Sequence, residues 1–333
     1  MKRIGITTTV PVEVIIAAGD VPVDLNNLFV SDQNPLALIT IAEKAGFPLN
    51  TCAWIKGIYG ATLKHGIDEV ICVTGGDCSN TLMLMEVLQI QGVRTIPFAF
   101  PAVPHKAAVE TAINDLATAF NITLQMAERT RRELLPIREL TTQLDRLTWQ
   151  QNVASGQENH SWLVSASDFN GDIADYRSKL KLAIDHAAVR DPFPNDELRL
   201  GLIGVPPVYA AELYPFIERY GGRVVFNEVA RQFSMPYAVT GLSEQYARYT
   251  YPYSTRMRLE DINSAVSERG LHGIIHYVQS FCHRAIGDIM FRLELGVPIL
   301  TIEGNTDFGL SQHLKTRLEA FLDMLRLKYN QPP

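Results

Sequence analysis

The chain has 333 residues, 47% of them apolar and 20% charged, a balance that supports two domains with buried cores and excludes a disordered or fibrous chain. Its 30 basic residues against 36 acidic ones give a net charge of -6, and no basic run tracks a phosphate backbone, so nucleic acid is set aside as a partner. No apolar stretch reaches the ~20 residues that cross a bilayer, and Thr7 to Thr9, Pro11 and Glu13 interrupt the opening before a signal-peptide core forms. A cytoplasmic protein without a membrane partner is expected.

In chain order, Ile4-Gly5-Ile6 followed by Val10-Pro11 reads as a first strand and turn. Phe47-Pro48-Leu49-Asn50-Thr51-Cys52 then leads into a predicted helix from Ala53 to about Lys64. Next comes His65-Gly66-Ile67-Asp68-Glu69-Val70-Ile71-Cys72-Val73-Thr74-Gly75-Gly76-Asp77-Cys78, which reads as an apolar strand ending in a glycine turn with a cysteine. A helix of roughly a dozen residues, Gly92-Val93 and a second apolar strand to Phe100 complete a right-handed βαβ unit. Gln125 to Gln150 carries Arg, Glu and Leu at helical spacing, and Asn152 to Ser161 reads as a loop. The domain boundary is placed there, giving a first domain over 1–150 with Cys52 and Cys78 and a second over 151–333 with Cys282.

The second half repeats the first. Arg269-Gly270-Leu271-His272-Gly273-Ile274-Ile275-His276-Tyr277-Val278-Gln279-Ser280-Phe281-Cys282 matches the segment ending at Cys78, and the pairs Gly66/Gly270, Cys78/Cys282 and Gly92/Gly296 are all 204 positions apart. Leu200-Gly201-Leu202 with Pro206-Pro207 answers the chain start more weakly, 196 positions on. Tyr246, Tyr249, Tyr251 and Tyr253, with Arg248 and Arg256, read as a loop that closes a cleft or meets a partner chain, or as a surface segment packed on the second domain. A last helix from about Ser311 to Leu327 carries an apolar stripe of Leu314, Leu318, Phe321, Leu322 and Leu325. The fold class is therefore α/β, with two similar doubly wound (Rossmann- or flavodoxin-like) parallel-sheet domains and a helical connection.

Four cysteines without an export signal belong to a reducing compartment, where structural disulfides are rare. Cys72 lies inside an apolar strand and packs as a small hydrophobe. Cys78 and Cys282 fall at the carboxyl ends of parallel strands, where open α/β sheets bind ligands. With Cys52 they are expected at helix starts, whose macrodipole favours the thiolate that metals require. Asp77 and Asn80 flank Cys78 and are candidates to cap its helix. Unrelated buried thiols, with Cys78 and Cys282 at two separate helix starts, are one alternative reading, and a zinc site of three cysteines and a histidine such as His283 is the other. Zinc ligands usually come in close pairs, however, whereas these three thiols are far apart in sequence and meet only in a cleft between domains.

Three segments carry a family resemblance: Gln279-Ser280-Phe281-Cys282-His283, Gly296-Val297-Pro298-Ile299-Leu300-Thr301-Ile302-Glu303, and Thr316-Arg317-Leu318-Glu319-Ala320-Phe321-Leu322. Val10-Pro11-Val12-Glu13 with Ala17-Ala18-Gly19-Asp20-Val21-Pro22-Val23, then Asp77-Cys78, then Glu212-Leu213-Tyr214 with Ile217-Glu218 and Gly221-Gly222 extend it along the chain. Together they resemble the 2-hydroxyacyl-CoA dehydratase (D-component) and benzoyl-CoA reductase family.

The resemblance implies that Cys52, Cys78 and Cys282 are the metal ligands of a 4Fe-4S cluster with one open iron site. It implies a radical lyase: a separate ATPase activator delivers one electron to an acyl thioester (acyl-CoA), whose ketyl radical expels hydroxide, or the same electrons reduce an aromatic ring. A homodimer or a paralogous second subunit is implied as well. The Gly75-Gly76 pair lacks the lysine and third glycine of a phosphate-binding loop, in keeping with an external activator. Two other readings remain open, a cluster-based reductase of a small non-thioester substrate and a non-catalytic electron-transfer subunit. For His283 a hydrogen bond to a cluster sulfur or substrate stands beside a histidine satisfied by backbone or water. For Glu303, proton transfer stands beside a capping or salt-bridging role.

Overall fold

The apolar runs at Val70–Val73 and Ile274–Tyr277 lie in the interior strands of two parallel sheets, in a computed structural model that describes residues 1–329. The first part of the chain forms β1 (Arg3–Ile6), α1 (Val12–Ala17), β2 (Val21–Asp24), α2 (Leu25–Val30), α3 (Pro35–Lys44), α4 (Ala53–Lys64), β3 (Glu69–Gly75), α5 (Asn80–Ile90), β4 (Arg94–Ala99) and α6 (Lys106–Ala119). The long α7 (Leu124–Trp149), α8 (Gly156–Ser165), a 3-10 turn at Phe169–Gly171 and α9 (Ile173–Ala188) follow. The second sheet belongs to β5 (Leu198–Gly204), α10 (Ala210–Arg219), β6 (Gly222–Asn227), α11 (Glu228–Phe233), α12 (Leu242–Arg248), α13 (Thr255–Glu268) and β7 (Gly273–Gln279). It is completed by a 3-10 segment at His283–Gly287, α14 (Asp288–Glu294), β8 (Ile299–Gly304) and α15 (Gln312–Tyr329).

The sheets have the orders β2-β1-β3-β4 and β6-β5-β7-β8, and every pairing is parallel. The expected α/β class with two doubly wound sheets is thus what the chain adopts. Its duplication extends to topology, because each sheet turns about its first strand and reverses direction there. The chain forms two compact units. The first comprises Met1–Arg138, Ser165–Tyr176 and Met235–Ser254; the second comprises Glu139–Val164, Arg177–Ser234 and the chain from Thr255 onward. Among the described residues, no helix is long and apolar enough to cross a membrane.

Alternation along the strands builds the cores. In the second unit Leu200 and Leu202 of β5 and Ile275 and Tyr277 of β7 join α10 and α15 on one face, whereas Ile203 and Ile274 join α13 and α14 on the other. All five residues of the expected stripe on α15 are buried. In the first unit α4 packs against α2 and α3. A Cβ at Gly60 would stand 2.1 Å from the carbonyl oxygen of Leu38, so only glycine lets α3 and α4 approach this closely.

Two local expectations need correction. The segment read as a loop at 152–161 starts α8 instead, and a capping box explains it: Ser155 N–H donates to Glu158 at 2.9 Å and Glu158 N–H to Ser155 Oγ at 3.1 Å. The dozen-residue helix expected after Cys282 is a one-turn 3-10 segment followed by the seven-residue α14, with Gly287 at the junction.

Candidate active site: the cysteine-bearing turns

In a sheet of order 2-1-3-4 the crevice for ligands opens beyond the carboxyl ends of the first and third strands, where the connections part to opposite sides. In the first unit that place is taken by the turn from Gly75 to Ser79. Gly76 has a φ of +91°, and a Cβ there would meet both Phe100 Cβ and the Pro252 carbonyl at 2.9 Å. Glycine is what allows the chain to turn under Phe100. Cys78 follows, half-buried, and its carbonyl accepts the N–H of Thr81 at 3.1 Å as α5 begins. Ser79, not Cys78, is the N-cap of α5. Asn80 is its first residue, so the expected capping by Asn80 does not apply.

On the neighbouring strand Thr7 Oγ1 accepts the Val73 N–H at 3.0 Å, tying the ends of β1 and β3 together. Thr9, two residues further on, is 3% exposed, and its hydroxyl has no hydrogen-bond partner among the described residues. A buried hydroxyl without a partner is costly. Sequence reading passed over Thr9 because a threonine in Thr7-Thr8-Thr9 carries no pattern of its own.

The second unit repeats the place with a different turn. After β7, Ser280 N–H donates to the Gly304 carbonyl at 2.9 Å and Cys282 N–H to the Gln279 carbonyl at 3.0 Å. Phe281 takes a φ of +64° and leaves its ring 58% exposed. A bulky residue in the left-handed region is strained. Cys282, half-buried, is the N-cap of the 3-10 segment. His283 beside it is exposed. Glu303, also exposed, sits one residue before the end of β8 and accepts a hydrogen bond from the Ser280 hydroxyl. That places Glu303 against the cysteine turn.

Cys52 is the N-cap of α4, as its sequence suggested, without a side-chain capping bond. It is 6% exposed within an apolar cluster that also contains Ile55, Tyr59 and Leu84, and Cys78 packs against the same cluster. Cys52 and Cys78 therefore both pack on the core of the first unit. Cys72 is fully buried in β3, and burial pushes its thiol up to about 12, which removes it as a thiolate donor, as expected of a core residue. None of the four cysteines is in a disulfide. Among the described residues no three His, Cys, Asp or Glu side chains gather as a metal-binding group. Cys52, Cys78 and Cys282, at or beside the ends of elements, offer the soft sulfur donors that iron–sulfur clusters take.

The tyrosine segment differs from expectation. Tyr246 lies in α12, and Tyr246, Tyr249, Tyr251 and Tyr253 are all buried, in the first unit. Tyr246 donates its hydroxyl to Glu13 at 2.8 Å and to the Val10 carbonyl at 2.9 Å, and Tyr253 donates to the Tyr246 carbonyl at 2.9 Å. Tyr249 and Tyr253 rings stand 6.0 and 5.9 Å from Phe100. Together with the Pro252 contact to Gly76, these residues form a lining behind the Cys78 turn rather than a surface loop. The phenolic ends of Tyr246 and Tyr253 found polar partners inside, which periodicity does not reveal.

A family model described as 2-hydroxyglutaryl-CoA dehydratase, D-component, matches residues 7–325. No curated protein matches the chain.

Proposed function

The chain belongs to the 2-hydroxyglutaryl-CoA dehydratase D-component family, and from that premise we propose that it is an iron–sulfur component of a radical lyase or reductase acting on an acyl thioester. Cys52, Cys78 and Cys282 are the proposed ligands of a 4Fe-4S cluster with one iron lacking a protein thiolate. When bound, such a cluster supplies a single low-potential electron and an open coordination position for a substrate oxygen. A separate ATPase activator and a second subunit, either another copy of this chain or a paralogue, are the proposed partners. The observation that carries the reading is the placing of Cys78 and Cys282 at the same switch point of two duplicated sheets.

The chain's own groups divide the remaining work. Gly76, with Phe100 and Pro252 against it, holds the Cys78 turn rigid and keeps water from its rear. Glu303, with the Ser280 hydroxyl on its carboxylate, is the group we assign to hold a proton beside Cys282. His283, exposed next to that thiol, is assigned to hydrogen bonding toward a cluster sulfur or the substrate.

The test is anaerobic purification, assay of iron and acid-labile sulfide, and dithionite-reduced EPR spectroscopy on the native chain and on Cys52→Ala, Cys78→Ala, Cys282→Ala and Cys72→Ala. About four irons per chain are expected, lost from the first three variants and kept in the Cys72 variant. A native chain that takes up a single zinc on the same thiols, or retains iron when all three are replaced, removes the proposal.

A further inference from the structure

The duplication permits a comparison inside one chain. Cys72 and His276, Leu84 and Asp288, Leu88 and Arg292, and Pro97 and Thr301 are pairs of positions 204 residues apart. They occupy matching places: Cys72 pairs with Pro97 across β3 and β4, and His276 with Thr301 across β7 and β8. In the first unit Cys72, Leu84 and Leu88 are buried together in the apolar cluster that packs α5 on the sheet. Apolar residues are therefore sufficient to seat this helix on this sheet.

In the second unit the same positions form a hydrogen-bonded network. His276 is 2% exposed, and its Nδ1 lies 2.6 Å from Asp288 Oδ1. Thr301 Oγ1 donates to the same oxygen at 2.6 Å, and Arg292 Nε donates to Asp288 Oδ2 at 2.6 Å. Arg292 also reaches the Thr301 hydroxyl and, at 3.2 Å, the Ile299 carbonyl. The His276 ring stands edge-on to Phe291 at 5.1 Å, and the Arg258 guanidinium lies 5.0 Å from that same ring while it pairs with the buried Glu228 at 2.6 Å. His276 and the Arg258–Glu228 pair are buried, which costs desolvation, and replacing such groups by apolar residues is often neutral or stabilising. Stability alone does not account for the network, since the first unit does without it.

What distinguishes the two places is the turn each follows. Asn80 starts α5 directly after the short Cys78 turn, whereas α14 starts only at Asp288, after a strained Phe281 and a 3-10 turn capped by Cys282. That longer turn is staked at its near end by the Ser280 and Cys282 N–H bonds to Gly304 and Gln279. Asp288 is its far stake, tied to two strands at once. We propose that His276, Asp288 and Thr301 are positioning residues for Cys282, so that hydrogen bonds set the placement of this thiol where apolar packing sets that of Cys78. The inference rests on reading Cys282 as a ligand thiol. It makes Cys282 the ligand whose position is adjusted separately from the others.

The experiment uses the full chain, metal-free and reduced, so that it does not depend on cluster loading. Iodoacetamide alkylation of Cys282 and Cys78 is followed in the same sample by peptide mass spectrometry, and the ratio of the two rates is the readout. Asp288→Leu, which restores the residue found at the matching Leu84, is expected to raise the Cys282/Cys78 ratio about fivefold, as loss of a net hydrogen bond would. Asp288→Asn, which keeps an acceptor for His276 and Thr301, is expected to stay within about twofold of native. An unchanged ratio in Asp288→Leu overturns the proposal, and so does an equal rise in both variants. Should Asp288→Leu not fold, Thr301→Val decides alone: a ratio raised about twofold supports the proposal, and an unchanged ratio overturns it. A chain that holds no iron can still pass this test, and one that holds iron can still fail it.

Discussion

Asp168 and Asp24 meet in the interior of the first unit, where Asp168 Oδ2 accepts the Asp24 N–H at 2.7 Å and both side chains are buried. Burial, with the Asp24 carboxylate next in importance, pushes the Asp168 carboxyl up to about 7 from its ordinary 3.8, and burial raises Asp24 as well. The folded chain thus holds a proton that the unfolded chain releases, so the stabilisation is complete below pH 3.8 and is lost as pH rises through about 7. Thermal melts between pH 5 and 8 should show this contribution falling with pH. Asp168→Asn should flatten that slope and raise stability at pH 8 by on the order of 2 kcal/mol, less what is lost because an amide offers one acceptor for the N–H groups of Asp24 and Asn170. Glu13, also buried, is held by Arg138 at 2.6 Å, Tyr246 at 2.8 Å and Gln245 at 2.9 Å. Glu13→Ala removes the buried carboxylate that Arg138, Tyr246 and Gln245 share and should cost about 3–5 kcal/mol, read as a lowered urea midpoint.

At the level of elements, α4 carries Cys52 at its start and depends on glycine to lie against α3. Gly60→Ala drives a methyl into the Leu38 backbone, which no side-chain rotation relieves. The expected loss is at the upper end of about 1–3 kcal/mol, with faster alkylation of Cys52 because its helix must shift; a calorimetric scan and a thiol-labelling time course check both. The sequence disclosed α4 to the residue, both cysteine turns and the stripe of α15, since each rests on periodicity or on a repeated motif. It did not disclose the buried setting of Tyr246, Tyr249, Tyr251 and Tyr253, because an apolar body with a polar tip reads alike inside and outside until its partner is known. Nor did it disclose the His276 network: histidine replaces cysteine at one strand position, and the side chains that complete it come from α14 and β8. Phe281 explains the shortened helix after Cys282, for left-handed backbone at a non-glycine leaves no trace in composition.

For the whole molecule, the compact units are not successive stretches of sequence. The first takes back 165–176, which brings Asp168 to Asp24, and 235–254, which brings Tyr246 and Gln245 to Glu13. A fragment covering 1–150 contains the whole first sheet and two of the three proposed ligand thiols, yet lacks every one of those buried partners. It should therefore retain helical circular dichroism while binding a hydrophobic dye and melting without a sharp transition; a cooperative melt like that of the full chain would contradict this. The helix α7 runs through the unit boundary at Arg138 and Glu139.

The return of 235–254 also sets an order of events during synthesis. Chains emerge from the ribosome N-terminal end first, so Cys52 and Cys78 emerge long before Pro252 and Tyr253, which back the Gly76 turn. Through most of translation the nascent first unit lacks that backing. Loading of the proposed cluster would therefore have an interval, fixed by the order of the residues, before the turn is enclosed.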